Sequence, residues 1–292
     1  MAKVRIPINP MQVGKVGAYS MYVRDGEQIV RQRKNSSNYG AEASRSYSQQ
    51  VRRVMWPNLV NFYKQNSFWM KGAFEAKSKG QTDYNLFMQA NSPYARIPML
   101  KSEASTDTCI VDALTVTKGS LTSTLITRTG SDEWSTNLSI GSEQPPATPT
   151  VGWLANAIID NNDGWQAGDN LAVLCFFNNF LIYDVPRCDT EYYEVTLRTN
   201  DSTPLSDNRI FGDDILYMEG GKLLLGPYVV GRGPAGVAII HTRRDPQLKV
   251  STQKIVVLDE QFITPRLDAA FLDECIASYG LDSQVMLAPG GA

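Results

Sequence analysis

Few side chains in this sequence could carry chemistry. There is one histidine, His241, so mechanisms built on several imidazoles or a His-rich metal site are excluded, and a catalytic triad would have to assemble around this residue alone. His241 ends the apolar run Val237-Ala238-Ile239-Ile240 beside Thr242, Arg243 and Arg244, which reads as a surface or interface position at a strand end. Gly231-Arg232-Gly233-Pro234-Ala235-Gly236 matches the spacing G-x-G-x-x-G. Cradling a pyrophosphate with that spacing needs a strand before it and a helix N-terminus after it. Pro234 removes a donor and a β-type run follows, so a glycine-rich β connection is expected instead. The oxygen-rich stretch Asp160-Asn161-Asn162-Asp163-Gly164-Trp165-Gln166-Ala167-Gly168-Asp169 lacks the ligand spacing and terminal glutamate of a calcium loop. It reads as a polar turn entering a strand at Leu171. Asp213-Asp214 and Asp259-Glu260 read as solvated loop charges, because adjacency in sequence does not aim two carboxylates at one substrate. Cys109, Cys175, Cys188 and Cys275 are widely spaced, with no C-x-x-C pair, and read as reduced, mostly buried thiols. Nothing here converges on a nucleophile, a base and a ligand set, so the expectation is a protein that is not an enzyme, with no catalytic residues, no metal and no cofactor.

The charge distribution is more informative than these groups. Residues 1–101 hold 16 of the 28 Lys+Arg and 5 of the 30 Asp+Glu, leaving 12 against 25 for the remainder, although the net charge is only -2. A basic pole and an acidic pole suit head-to-tail self-association or an acidic partner. The basic third interleaves Arg24, Arg31, Arg33, Lys34, Arg45, Arg52 and Arg53 with Tyr19, Tyr22, Tyr39, Tyr47, Trp56, Phe62 and Tyr63. Cations neutralise phosphates and rings stack on bases, so nucleic acid is one reading. Several of these rings fall on the apolar face of a helix, which favours protein contact. The seven basic residues are therefore the candidate interface.

With 42% hydrophobic residues among 292, the chain can bury a substantial core. It shows neither a signal-peptide apolar region at its start nor a run of about 20 apolar residues, so a protein made in the cytoplasm with no membrane contact is expected. The first 40 residues read as an extended arm or hairpin with Asp25-Gly26 as its turn. Apolar residues at three- and four-residue spacing from Ala43 to Tyr63 predict an amphipathic helix, with Ser44 as N-cap and Pro57 bending or dividing it. A second helix, capped by Thr82, carries Tyr84, Phe87 and Met88 inward, stops at Asn91 and Pro93, and packs on the first. Strands are expected at 108–117, 120–128, 170–177, 179–185, 190–198, 222–230, 235–242 and 249–258, and 141–150 is a loop by composition. Thr264, Pro265 and the stripe Leu267, Phe271, Leu272, Cys275, Ile276 and Tyr279 predict a last helix, ended by Gly280. The fold class is α+β, mainly β. It comprises a basic arm and helical region (1–101), an antiparallel β-sandwich body (102–263), and a C-terminal helix and tail (264–292).

Three segments resemble a protein family common in gut Bacteroidetes genomes and their tailed phages, crAss-like phages included. The first is Gly14-Lys15-Val16-Gly17-Ala18-Tyr19 with Arg31-Gln32-Arg33-Lys34-Asn35 and Ser44-Arg45-Ser46-Tyr47-Ser48-Gln49-Gln50-Val51-Arg52. The second is Asp169-Asn170-Leu171-Ala172-Val173-Leu174 with Tyr192-Tyr193-Glu194-Val195. The third is Gly236-Val237-Ala238-Ile239-Ile240 with Lys249-Val250-Ser251-Thr252-Gln253. The C-terminal helix and some loops of the β body depart from the family's pattern. The resemblance implies a virion structural protein: a capsid-decorating subunit, a head-fibre anchor, or a ring or adaptor of the head-tail connector. Its implied partners are further copies of itself as a homo-oligomer, other virion proteins of capsid, portal or tail, and packaged DNA as a further contact. The alternatives are a carbohydrate- or cell-surface-binding β module using Trp134, Trp153 or Trp165, and a nucleic-acid-binding protein using the basic region.

Overall fold

The structure is a computed structural model and describes residues 13–16, 19–24, 27–32, 46–131, 133–141, 144–181, 185–232 and 235–280. The chain divides into two compact units, Met1–Ser46 with Val285–Ala292, and Tyr47–Gln284. In the first, β1 (Gly14–Val16), β2 (Tyr19–Arg24) and β3 (Glu27–Gln32) form an antiparallel sheet in that order. Arg24 pairs with Glu27, as a tight hairpin requires. The expected hairpin is present; its Asp25-Gly26 turn lies outside the described residues, as do the Ser44 cap and the tail from Leu281.

The second unit opens with α1 (Tyr47–Asn66), α2 (Asp83–Asn91) and the short α3 (Lys101–Ala104). Pro57 does not divide α1, which runs on to Asn66. Thr82 caps α2 as expected, its Oγ1 accepting from the Asn85 N–H. The two helices pack together through aromatic rings, Phe62 stacking on Phe87 at 5.9 Å and Tyr63 meeting Tyr84 edge-on at 5.1 Å. Then follow β4 (Thr115–Thr117), β5 (Ile126–Arg128), β6 (Trp134–Ser139), α4 (Val151–Asn161), β7 (Asn170–Leu181) and β8 (Val185–Thr196). The chain continues through α5 (Arg209–Gly212), β9 (Leu216–Glu219), β10 (Lys222–Leu225), α6 (Pro227–Arg232) and β11 (Gly236–Arg244). It closes with β12 (Leu248–Val250), β13 (Gln253–Lys254), β14 (Val256–Val257) and α7 (Ala269–Ser278).

The fold is α+β and mainly β, with antiparallel sheets. A central sheet runs β12-β11-β7-β8, with β14 also on β11; a second runs β5-β6-β10-β9; β13 pairs with β4. Side chains alternate across a strand, so the central sheet buries both faces. Leu171, Val173, Cys175, Val237 and Ile239 share one core with the second sheet and with Leu154, Ala155 and Ile158 of α4. Ala172, Leu174, Phe176, Ala238 and Ile240 share the other with Leu59 and Phe62 of α1 and Phe87 of α2. A strand buried on both sides reads as a continuous apolar run, which is why Leu171 to Phe177 is unbroken. The early helices thus cover one face of the β body, and α7 packs Cys275 and Ile276 on Val54 of α1. The divisions at residues 101 and 263 mark composition and charge, and packing does not follow them.

Several expected strands change. The candidate 170–177 and the start of 179–185 are one strand, β7, which ends at Leu181 and pairs antiparallel with β8; residues 182–184 lie outside the described residues and Val185 begins β8. The candidate 222–230 is a strand only to Leu225; α6 follows. Residues 108–114 are irregular, with β4 beginning at Thr115. Helix α4, expected neither as helix nor as core, has Thr150 as its cap, Oγ1 accepting from the Trp153 N–H. The final helix is also displaced. Thr264–Leu267 is a 3-10 turn, and Asp268 caps α7 by accepting from the Ala270 N–H. Gly280 follows at φ +70°, a left-handed terminus that favours glycine.

Candidate functional site

The seven basic residues of the expected interface divide between the two units. Arg24 ends β2, and Arg31 is exposed on β3 opposite Ser20. Arg33, Lys34 and Arg45 lie outside the described residues. Arg52 and Arg53 are exposed on α1. The Arg53 guanidinium sits 5.7 Å from the centre of the Tyr279 ring, a cation-π contact that ties α1 to the end of α7. Arg52 borders a depression of about 190 Å³ shared with Met55, Trp56, Pro93 and Ala95. Trp56 is 44% exposed there, an aromatic beside a cation on the open face of α1. Arginine and tryptophan are the residue types that most often anchor protein contacts.

His241 occupies a different place from the strand-end surface expected of it. It is fully buried, because at i, i+2 spacing along β11 it follows Val237 and Ile239 onto the face covered by α4 and the second sheet. Trp165 lies flat against it, with ring centroids 3.7 Å apart and an interplanar angle of 7°. Its Nε2 is 2.7 Å from Oδ2 of Asp169, also fully buried. The two Asp169 oxygens accept in addition from Arg243 Nε at 2.6 Å and Nη2 at 2.8 Å, and from the Gln166 N–H at 2.9 Å. Burial of the Asp169 carboxyl acts to raise its pKa, but the bonds from Arg243, His241 and Gln166 outweigh it and bring the group down to about 2. An ionised carboxylate only accepts, so Nε2 of His241 carries the proton; Nδ1 is buried with no hydrogen-bond partner.

Arg243 Nη2 also donates to the Gly164 carbonyl at 2.7 Å, and the Leu197 N–H donates to the Asp169 carbonyl. Asp169 therefore fastens the turn after α4 to β11 and to the end of β8. A buried carboxylate bound on both sides in this way is a fixed point of structure, with neither face open to a substrate. The oxygen-rich stretch 160–169 is divided: Asp160 and Asn161 finish α4, Asn162 bonds the Ser139 backbone, and Trp165 and Asp169 turn inward, Asp169 being the one carboxylate of the stretch that does. Sequence reasoning noted Asp169, His241 and Arg243 separately and did not join them. The joining signal was present, since His241 and Arg243 share a strand face that Asp169 meets from the start of the neighbouring strand.

Trp165 is 5% exposed, and Trp134 and Trp153 pack half-buried against the same core. The tryptophans expected to meet sugar are thus core residues or nearly so. The G-x-G-x-x-G stretch begins in the last two residues of the helix α6 and ends on the first residue of the strand β11, the reverse of the order that pyrophosphate binding requires. All four cysteines are free and buried, as expected. Against known proteins, the chain matches no protein-family model, no curated protein and no solved structure.

Proposed function

We propose that this chain is a non-enzymatic structural component of a tailed-phage virion, a ring or adaptor, decorating or fibre-anchoring subunit, that works through contacts between proteins. The observation that carries the reading is the division of charge between the two compact units. Met1–Ser46 with Val285–Ala292 holds 8 Lys+Arg against 3 Asp+Glu, and Tyr47–Gln284 holds 20 against 27. Opposite poles on one polypeptide favour a heterologous contact, in which the basic unit of one copy meets the acidic unit of the next; such contacts close into rings when the rotation permits. Arg52 and Trp56 on the open face of α1 add the kind of anchor that such an interface uses. The resemblance of the arm and strand segments to phage-associated proteins supplies the setting.

Sedimentation of the purified chain across a salt series tests this. Association at low ionic strength should dissolve as salt shortens the screening length to about 3 Å near 1 M. Reversing Arg24 and Arg31, which lie in the basic unit, to glutamate should abolish it at all salts. A wild-type chain that stays monomeric throughout, or that binds duplex DNA without self-associating, would overturn the proposal.

A further inference from the structure

Alternation along the strands places a second set of residues directly behind the Asp169 cluster. Asp169, His241 and Arg243 face one core, so Asn170, Thr242 and Arg244 emerge on the opposite face, where Asn170 pairs in register with Thr242. There the end of the central sheet and the loop after α1 enclose a groove of about 350 Å³, within the range of small-ligand sites. We propose that this groove binds an acidic sugar unit, a carboxylated and hydroxylated ring, between Lys71 and Arg244 on one side and Asn170, Tyr192 and Glu194 on the other.

The groove is held in shape before any ligand arrives. Trp69 Nε1 donates to Asn66 Oδ1, the Gly72 and Phe74 N–H groups donate to the Asp83 carboxylate, and Gly72 stands at φ +86°. A Cβ at Gly72 would come within 2.7 Å of Leu248 Cδ2, so the loop lies directly on β12. The floor is fixed from behind by Arg243 and Asp169. Lys71 and Arg244 are exposed and have no ion pair among the described residues, which leaves two cations for a carboxylate. Asn170 lines the groove, and its Oδ1 is buried there with no hydrogen-bond partner. Tyr192 donates to Glu194 Oε2 at 2.7 Å, leaving its own lone pairs and the other carboxylate oxygen to accept from hydroxyls. The rings of Trp69 and Tyr192 add apolar surface of the kind on which sugar C–H faces rest. The Glu194 carboxylate disfavours a phosphate dianion in the same space, and the cations disfavour a neutral sugar as the best fit.

The test is independent of the assembly proposal, because it uses the isolated full chain. Backbone amide shifts of the isotope-labelled protein are followed on titration with glucuronic acid and with N-acetylneuraminic acid, with glucose and glycine as controls. A saturable response centred on Gly72, Asn170 and Thr242 is expected for at least one acid, with glucose far weaker. Lys71→Ala and Arg244→Ala, both at exposed positions that leave the core intact, should each weaken it about tenfold. No saturable response to either acid, equal binding of glucose, preferential binding of glycine, or unchanged affinity in both variants would overturn the assignment.

Discussion

Trp165 lies parallel to His241 at 3.7 Å between ring centroids, and that stack closes one side of a carboxylate, Asp169, which Arg243 clamps from another. The molecule's one imidazole is thereby committed to holding the turn after α4 against the central sheet. The same contacts set the pH behaviour of the fold.

Asp169 stands at about 2 in the folded protein, against 3.8 as the ordinary value. A depressed carboxylate contributes stability that is fully present above its unfolded pKa and is lost as pH falls through the folded value. Discounting for solvent at Arg243, which is 18% exposed, the contribution is about 1–2 kcal/mol. Urea unfolding at a series of pH values should show stability falling between about pH 4 and pH 2. Asp169→Asn should be less stable at neutral pH, and its loss over that acid interval should be smaller. Parallel acid limbs for the two proteins would contradict the assignment of the effect to this residue.

Gly152 sits in the first turn of α4, where alanine ordinarily strengthens a helix. Here a Cβ would approach the Asp201 carbonyl oxygen to 2.7 Å and that of Thr199 to 2.9 Å, and both are backbone atoms that cannot swing aside. Gly152→Ala is therefore expected to cost about 1–3 kcal/mol, in place of the gain of about 1 kcal/mol that helix propensity alone supplies. Chemical denaturation decides between the two signs.

That glycine also explains part of what the sequence concealed. Helix α4 carries a legible signal, with Thr150 as cap and Val151, Leu154, Ala155 and Ile158 at helical spacing. The prolines at 145, 146 and 149 fall in the stretch 141–150 read as loop, just before the helix, and the close approach to Asp201 that requires a glycine at 152 is a tertiary fact invisible in one dimension. The hairpin β2–β3, the helices α1 and α2 and the strand β11 were legible because each has one dominant period or cap. The break expected at Asn178 within β7 did not occur, because twelve residues of pairing with β8 carry the strand across that polar residue. The burial of His241 was missed for a related reason. Its neighbours Thr242, Arg243 and Arg244 made the strand end look solvated, while the partner that allows burial, Asp169, is 72 residues away.

The thiols should be silent in the native protein. Burial pushes Cys175 and Cys275 up to about 12 and raises Cys109 well above the ordinary value, and the thiolate is the reactive form. Iodoacetamide at pH 8 should leave all four cysteines unlabelled in the folded chain and modify all four in denaturant, as read by intact-mass spectrometry. Rapid native labelling of any one of them would contradict the burial described for it.

The proposal that this chain is a virion component is tested by quantitative mass spectrometry of density-purified phage particles from cultures that produce the chain, scaled to the major capsid protein. A stoichiometric presence is expected, about a dozen copies for a ring or adaptor and on the order of hundreds for a decorating subunit, as closed symmetric assemblies require. Absence from purified particles would contradict it.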